Sequence, residues 1–282
     1  MNPEALKPVL VADQSLARRL ELAEARSCAE FVETRARLFP EIQAEWIEVA
    51  GAYALFDGVA SPITQTFGLG LFQNVERCDL ERIEAFFTSQ GAPVYHEVSP
   101  LAEPALLTLL NERGYHPIEF TSVMFCPIHG DIQLEVPRNE RVQVRLITPD
   151  EHDLWAQTAA DGFRGFQNVD DQILELQQLN ARRPGAFSFL AELDGCAIGA
   201  GILYLCNGVA LLGGASTIPE ARQQGAHVAL LQARMRFAAE HGCDVAMISA
   251  QPPGGGSQRN AERHGFKIAY TRIKWHLVFE GP

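Results

Sequence analysis

The segment IPEARQQGAHVALLQAR, residues 218–234, gathers Arg222, Gly225 and His227 at the approach to an apolar helical stretch. The first turn of a helix leaves N–H donors unpaired and carries the positive end of the macrodipole. Gly225 removes a side chain where a ligand would come closest to the backbone. Arg222 places a positive charge at the same end. These residue types in this order suit an anion, and a pyrophosphate in particular. The competing reading is a plain turn at Gly225 beside a solvated Arg222. Two other phosphate loops do not fit, because the chain has neither GK[S/T] nor GxGxxG after a strand. His227 falls at the positive helix end, which predicts a neutral imidazole that hydrogen-bonds a phosphate or faces away.

Positioning such a loop requires a strand before it and a helix after it, and the surrounding pattern supplies both. VALLGGAST (209–217) reads as the last of three strands over 186–217, with turns at Asp194-Gly195 and Asn207-Gly208. AHVALLQARMRFAAEHG (226–242) reads as a helix whose inward stripe is Val228, Leu231, Met235 and Ala238. A strand at 243–250, a Pro/Gly loop, a short helix to Gly265 and strands at 266–279 follow. Upstream lie a strand at 141–147 and helices at 150–163 and 170–183.

The first half reads as an amphipathic helix or helix pair over 15–38, strands over 46–72 with a hairpin signal at Asp57-Gly58, and a helix at 78–91 opened by Asp79. A strand at 92–98, a helix at 103–114 and a strand at 115–128 complete it. Gly91 and Gly114 lie 23 residues apart, as do Gly242 and Gly265, and Tyr115 matches Phe266 after the second glycine of each pair. Element order, spacing and the aromatic agree, so we read a duplicated domain. The polar stretch 129–140 is the expected linker.

The 282 residues favour two domains. A net charge of -12 argues against a nucleic-acid surface. Six scattered cysteines without a CxxC pair suggest reduced thiols. No secretory signal and no uninterrupted apolar run of membrane-spanning length is found, so a cytoplasmic protein without membrane association is expected. The histidines lack HxH or HExxH spacing, and no metal is expected.

RQQGAHVALL, set in this order of elements, resembles the pyrophosphate loop of the GNAT superfamily of acyl-CoA-dependent N-acyltransferases, written [Q/R]-x-x-G-x-[G/A]. Arg222 and Gly225 match its first two defined positions, while His227 departs from the third. NAERHGF (260–266) is similar to the family's short helix ending in Gly-Phe. The resemblance covers residues 141–279. It implies an α/β (α+β) protein of two tandem GNAT-like domains, each a mixed, largely antiparallel sheet flanked by helices. The expected boundaries are 1–130 for a degenerate N-terminal domain and 139–282 for an acyl-CoA-binding C-terminal domain. The first half has no such loop, and Asp79 and Glu81 at its helix start would repel phosphate.

The resemblance further implies acetyl-CoA as cosubstrate and a primary amine of a small molecule or peptide as acceptor. Ala215, Ser216 and Thr217 would bond the pantetheine arm. Gln223, Gln224, Gly225, Ala226, His227 and Val228, with Arg222, would hold the pyrophosphate, and Asn260 would join the cofactor site. The family's acidic Tyr is replaced by Ala261, which leaves Tyr270 and Ser257 as catalytic candidates. Each has a structural reading too: Tyr270 as a strand aromatic packed at the sheet edge, Ser257 as a helix cap. His264, Asp161, Phe163, Phe166 and Glu192 are further polar or aromatic candidates near the site. A homodimer and a non-catalytic acyl-CoA-sensing role stay open.

Overall fold

The computed structural model describes residues 12–128, 139–164 and 171–278. The expected linker falls outside them except for its last two residues.

Helix α1 spans Gln14–Leu38, with Asp13 accepting the Leu16 N–H at 2.9 Å as its N-cap and Pro40 following its end. Strands β1 (Glu45–Val49) and β2 (Ala52–Phe56) form a hairpin, and β3 (Gln65–Phe67) follows. Next come α2 (Arg77–Ser89), β4 (Tyr95–Val98), α3 (Pro104–Glu112) and β5 (Tyr115–Pro127). The second half runs β6 (Val142–Leu146), α4 (His152–Asp161), α5 (Asp171–Arg182), β7 (Ala186–Leu193), β8 (Cys196–Cys206) and β9 (Val209–Thr217). It ends with α6 (Ala226–Glu240), β10 (Val245–Ala250), α7 (Gly256–Arg263) and β11 (Lys267–Leu277).

Two local expectations need correction. The first hairpin turns at Ala50-Gly51, both at positive φ, and not at Asp57-Gly58. Asp57 is instead buried and accepts from Arg35 Nε at 2.6 Å, so its carboxylate serves an ion pair. Asp79 is the third residue of α2, where its carboxylate accepts the Glu76 N–H at 2.9 Å. Residues Asp194-Gly195 and Asn207-Gly208 do form the tight left-handed turns expected of them. All four repeat glycines, Gly91, Gly114, Gly242 and Gly265, have positive φ between 67° and 84°, so both halves use the same helix stops.

All eleven strands form one sheet, in the order β1-β2-β3-β4-β11-β5-β10-β9-β8-β7-β6. Strand β11 enters between β4 and β5, and β5 enters between β11 and β10. Each half therefore completes its sheet with the last strand of the other. The two parallel pairings, β3 with β4 and β9 with β10, occupy corresponding positions in the halves.

Helices α2, α3, α6 and α7 cover one face, and α1, α4 and α5 cover the other. The long α1 crosses the join. Its Leu16, Ala17 and Leu20 pack on Val209, Val245 and Met247, while Ala25, Ala29 and Val32 pack on Tyr53, Leu55 and Phe67. Fully buried side chains such as Leu20 and Val32 each stabilise this arrangement by roughly 1.5–3 kcal/mol.

The same buried stripe of α1 carries Glu21 and Glu24. Arg272 on β11, 1% exposed, meets Glu21 at 3.3 Å, Glu24 at 2.7 Å and Glu97 of β4 at 3.4 Å. Burial opposes the charge of Arg272, but the three carboxylates outweigh it and hold the guanidinium well above its ordinary value. Burial lifts the Glu21 carboxyl to about 7, against the pull of Arg272 and the Tyr270 hydroxyl. A carboxyl raised on folding stabilises fully below its unfolded value and loses that contribution as pH rises through its folded value. We therefore expect unfolding free energy to fall between about pH 5 and pH 8, and to fall less in Glu21→Gln, as read by urea denaturation. Equal slopes in both proteins would show that Glu21 does not hold a proton in the folded state.

Candidate functional site

The site grows from a defect in the sheet. Strand β10 pairs with β9 only over Val209–Leu211, opposite Val245–Met247. Beyond that point the β10-facing backbone of β9 has no strand partner. A bulge lies on the other edge of β9, where Ile202 pairs with Gly213 and Ala200 with Ser216. Gly214 takes a φ of 53° in this bulge. Arg234 of α6 braces it: Nη1 donates to the Ile202 and Gly213 carbonyls at 3.0 Å each, and Nε donates to Leu230 O at 3.2 Å. Burial lowers the Arg234 pKa to about 10, which leaves the side chain protonated at neutral pH. Gly201 makes room for it, since a Cβ there would meet Arg234 Cζ at 3.1 Å.

At the far end of the gap, Gly225 caps α6 with a φ of 89°, a conformation that favours glycine. The first helical bond runs from Ala229 N–H to Gly225 O. The N–H groups of Ala226, His227 and Val228 precede it and point out of the helix start. Arg222 does not project as a free charge. Its Nη2 donates to the Gly162 and Arg164 carbonyls at 3.2 and 2.7 Å, so it ties the loop to the end of α4. Asn139 donates to Gln224 O at 2.9 Å and braces the loop from the other side.

A cavity of 550 Å³ opens at this loop and is lined by Ala215, Ser216, Thr217, Arg222, Gln223 and Gly225 through Val228, with Gly162 and Phe163. A second, of 810 Å³, follows the gap between β9 and β10 to Ser249, Ser257 and Asn260. Phe163, Ala215 and His227 line both, so the two form one groove. Of the residues predicted to bind the cofactor, only Gln224 is absent from these linings. The Ser216 hydroxyl donates to Ala159 O at 2.9 Å and is committed to α4, which leaves its backbone for a ligand.

His227 turns toward α7. Its ring lies 3.1 Å from the Asn260 amide nitrogen and stacks on His264 with centroids 6.2 Å apart. Burial, then Arg234 and His264, lower its pKa to about 4, so the imidazole is neutral as expected. Ser257 is exposed on the groove as the second residue of α7. Gly255 is the cap, so the helix-cap reading of Ser257 is corrected.

Tyr270 is placed elsewhere. It is 7% exposed, packs with Val123 and Met247 under α1, and donates to Glu21 Oε1 at 2.9 Å. Burial and Glu21 raise its pKa well above the ordinary value, and it does not line the groove. Tyr270 is a packed aromatic, but on an interior strand of the sheet and not at its edge. Glu192 pairs with Arg145 and Asp161 with Arg164, and Phe166 lies outside the described residues.

The strand reading missed a carboxylate. Ser249 lines the inner end of the groove and donates to Glu24 at 3.1 and 3.0 Å. Glu24 lies on the α1 stripe with Ala17, Leu20, Glu21 and Cys28. Two glutamates on the buried face of a helix were the available signal. No distance in the sequence could say that this face meets β10.

In the first half the corresponding space is filled. Leu69 and Leu71, at 0% and 1% exposure, follow β3. Arg18 donates to Leu71 O at 2.8 Å, and the Glu103 N–H donates to Gly70 O at 3.0 Å. Among the described residues no group of His, Cys, Asp and Glu could hold a metal, and no helix is long and apolar enough to cross a membrane.

The fold is thus a mixed sheet with two helical faces, a splayed parallel pair and a glycine-capped helix at the mouth of the gap. The sequence profile of the Acetyltransferase (GNAT) family matches residues 152–266, and this part of the chain is a GNAT acetyltransferase domain. Over the whole chain, the structure is similar to a GCN5-related N-acetyltransferase from Kribbella flavida: TM-score 0.59, 18% identity, covering 92% of this chain and 96% of that one. It is also similar to a tandem GNAT protein from the clavulanic acid biosynthesis pathway, solved without AcCoA: TM-score 0.60, 15% identity, covering 97% and 98%. A GCN5-related N-acetyltransferase from Sphaerobacter thermophilus aligns with TM-score 0.53 and 18% identity over 75% of this chain and 71% of that one. No curated protein sequence matches the chain. The two halves are thus a tandem of GNAT-like folds.

The contact of α4 with β9 sets the width of the groove mouth. A Cβ on Gly162 would collide with the Ser216 hydroxyl and lie 2.9 Å from the Thr217 nitrogen. We expect Gly162→Ala to lower stability by about 1–3 kcal/mol in chemical denaturation. An unaffected midpoint would show that α4 can retreat freely.

Proposed function

We propose that the protein transfers an acetyl group from acetyl-CoA to a primary amine, with the C-terminal half (139–282) holding the cofactor and the N-terminal half (1–130) holding none. The observation that carries this reading is the groove running from the start of α6 to the splay of β9 and β10. The fit to the cofactor is chemical: open N–H groups and a helix start at one end, an unpaired strand edge along the middle, and a polar inner end.

When bound, acetyl-CoA supplies a thioester carbonyl for attack. The N–H groups of Ala226, His227 and Val228 and the loop at Gln223–Gly225 hold the pyrophosphate. Arg222 contributes by fixing that loop. The open backbone of Ala215–Thr217 bonds the pantetheine arm. His227 and Asn260 line the passage as a neutral pair. The acceptor amine must lose a proton to attack, and Glu24 takes it through the Ser249 hydroxyl. Ser257 donates a hydrogen bond to the departing sulfur. A small molecule or a peptide terminus fits this scheme. The net charge of -12 disfavours a nucleic-acid acceptor, and a cytoplasmic setting agrees with six free cysteines.

Acetyl-CoA is expected to raise the thermal midpoint of the wild type and not of Gly225→Glu, which places a carboxylate at the phosphate loop. No shift at saturating cofactor would overturn the proposal. Calorimetry should find one CoA per chain, whereas two would contradict a silent N-terminal half. With acetyl-CoA and a panel of amines, release of free CoA thiol separates an enzyme from an acyl-CoA sensor. Glu24→Gln should lower kcat by about 100-fold or more while retaining the acetyl-CoA thermal shift. A kcat within a few-fold of wild type would remove Glu24 from the proton path.

A further inference from the structure

On the face of the sheet opposite α6 lies a separate cavity of 220 Å³. Gly213 and Gly214 line both this cavity and the inner groove. The two spaces thus meet at the bulge beside the splay. The remaining walls come from α1, α5 and β8, and they are polar where Ser27, Gln177, Asn180, Arg183 and Tyr204 contribute.

Arg183 is the unusual member. Among the described residues four arginines are buried: Arg35, Arg183, Arg234 and Arg272. Arg35 pairs with Asp57 and Glu175, and Arg272 pairs with three glutamates. Arg234 directs its bonds to three backbone carbonyls. Arg183, 7% exposed, makes no ion pair among the described residues. Its Nη1 donates to the carbonyl and hydroxyl of Ser27 at 2.6 and 2.7 Å, and its Nε is buried without an acceptor. Its guanidinium lies 5.5 Å from the centre of the Tyr204 ring. The nearby carboxylate of Glu30 accepts the Tyr204 hydroxyl at 2.8 Å and is not bonded to Arg183.

A guanidinium presents five donors in a planar fork and keeps its charge. Left buried without a counter-charge it is costly, and proteins pair such groups. Here Glu30 acts on Arg183 only through space and accepts from Tyr204 instead, and Arg183 lines a cavity, so a ligand can provide the directly bonded anion. The group that matches the fork is a carboxylate. The cavity's 220 Å³ equals about seven waters of liquid volume, which limits the ligand to amino-acid size.

We propose that the acyl acceptor is a small amino acid, its carboxylate bound by Arg183 and its amine presented to the splay beside Gly213 and Gly214. This rests on the acetyl-transfer reading for the amine's fate, but the carboxylate site stands on Arg183 and the cavity alone. The step is balanced: the amine nitrogen bonds the acetyl carbon, the C–S bond breaks, and the amine's proton leaves by way of Glu24 while the thiolate departs.

The test compares the L-amino acids with their α-carboxamides, which differ only at the group Arg183 would hold. Binding of each, without cofactor, is measured by calorimetry; turnover with acetyl-CoA is measured by free thiol. We expect a subset of small free acids to bind and turn over with KM at least tenfold below their carboxamides. Arg183→Gln should raise that KM about tenfold or more with the acetyl-CoA thermal shift unchanged, and Arg183→Lys should fall between. If Arg183→Gln does not fold, the acid-to-amide contrast in the wild type decides. Carboxamides used as well as acids, or no amino acid bound at millimolar concentration, would overturn the carboxylate site while leaving acetyl transfer intact. Arg183-dependent binding of amino acids without any thiol release would instead overturn acetyl transfer and support the site.

Discussion

Strands β5 and β11 lie side by side along nearly their whole length, from the pairing of Tyr115 with Leu277 to that of Phe125 with Lys267. Each comes from one half of the chain and is flanked on its far side by a strand of the other half. The exchange removes the free edge that each half would present at its last strand. It also makes one sheet from two repeats, and that sheet sets the path of α1. A helix of 25 residues is long enough to cover the join, and its apolar stripe finds core on both sides of it.

The candidate site inherits its composition from that arrangement. Its glycine-capped loop, strand edge and groove belong to the second half, but Glu24 and Ser27 come from α1 of the first. The N-terminal half therefore matters even though its own equivalent space is filled by Leu69 and Leu71. Symmetry in the backbone coexists with asymmetry in the side chains. At β3 the repeat places leucines and closing hydrogen bonds, whereas at β9 it places the small residues Gly213, Gly214 and Ala215. The same topological gap is packed in one half and open in the other.

Buried charge is organised around the gap. Arg272 gathers three carboxylates at the join, Arg234 holds the bulge open through backbone carbonyls, and Arg183 faces the cavity beyond it. Each is desolvated, yet each solves that cost differently: by three anions from two elements, by peptide dipoles, or by the site proposed for a ligand. The network at Arg272 also explains why Tyr270 is unavailable for proton transfer, since its hydroxyl already serves Glu21.

Much of this protein could be read along the chain. Hydrophobic periodicity and glycine stops located nearly all the helices and strands, because those signals are local and depend on the backbone conformation of one or two residues. The loop at Arg222–Val228 was legible for the same reason: a helix start declares its open donors in its own sequence. So was the duplication, through the spacing of four glycines. What the sequence left undecided were relations between residues far apart. The role of Arg222 as a brace depends on where α4 ends, and the identity of the hairpin turn depended on Arg35 claiming Asp57. Tyr270 and Glu21 are separated by 249 residues, Ser249 and Glu24 by 225, and Arg183 and Ser27 by 156. No pattern in the chain measures such pairs. Only the exchanged strands and the helix laid across them determine which carboxylate meets which hydroxyl, because side-chain chemistry at a site is fixed by packing across the sheet and not by order along it.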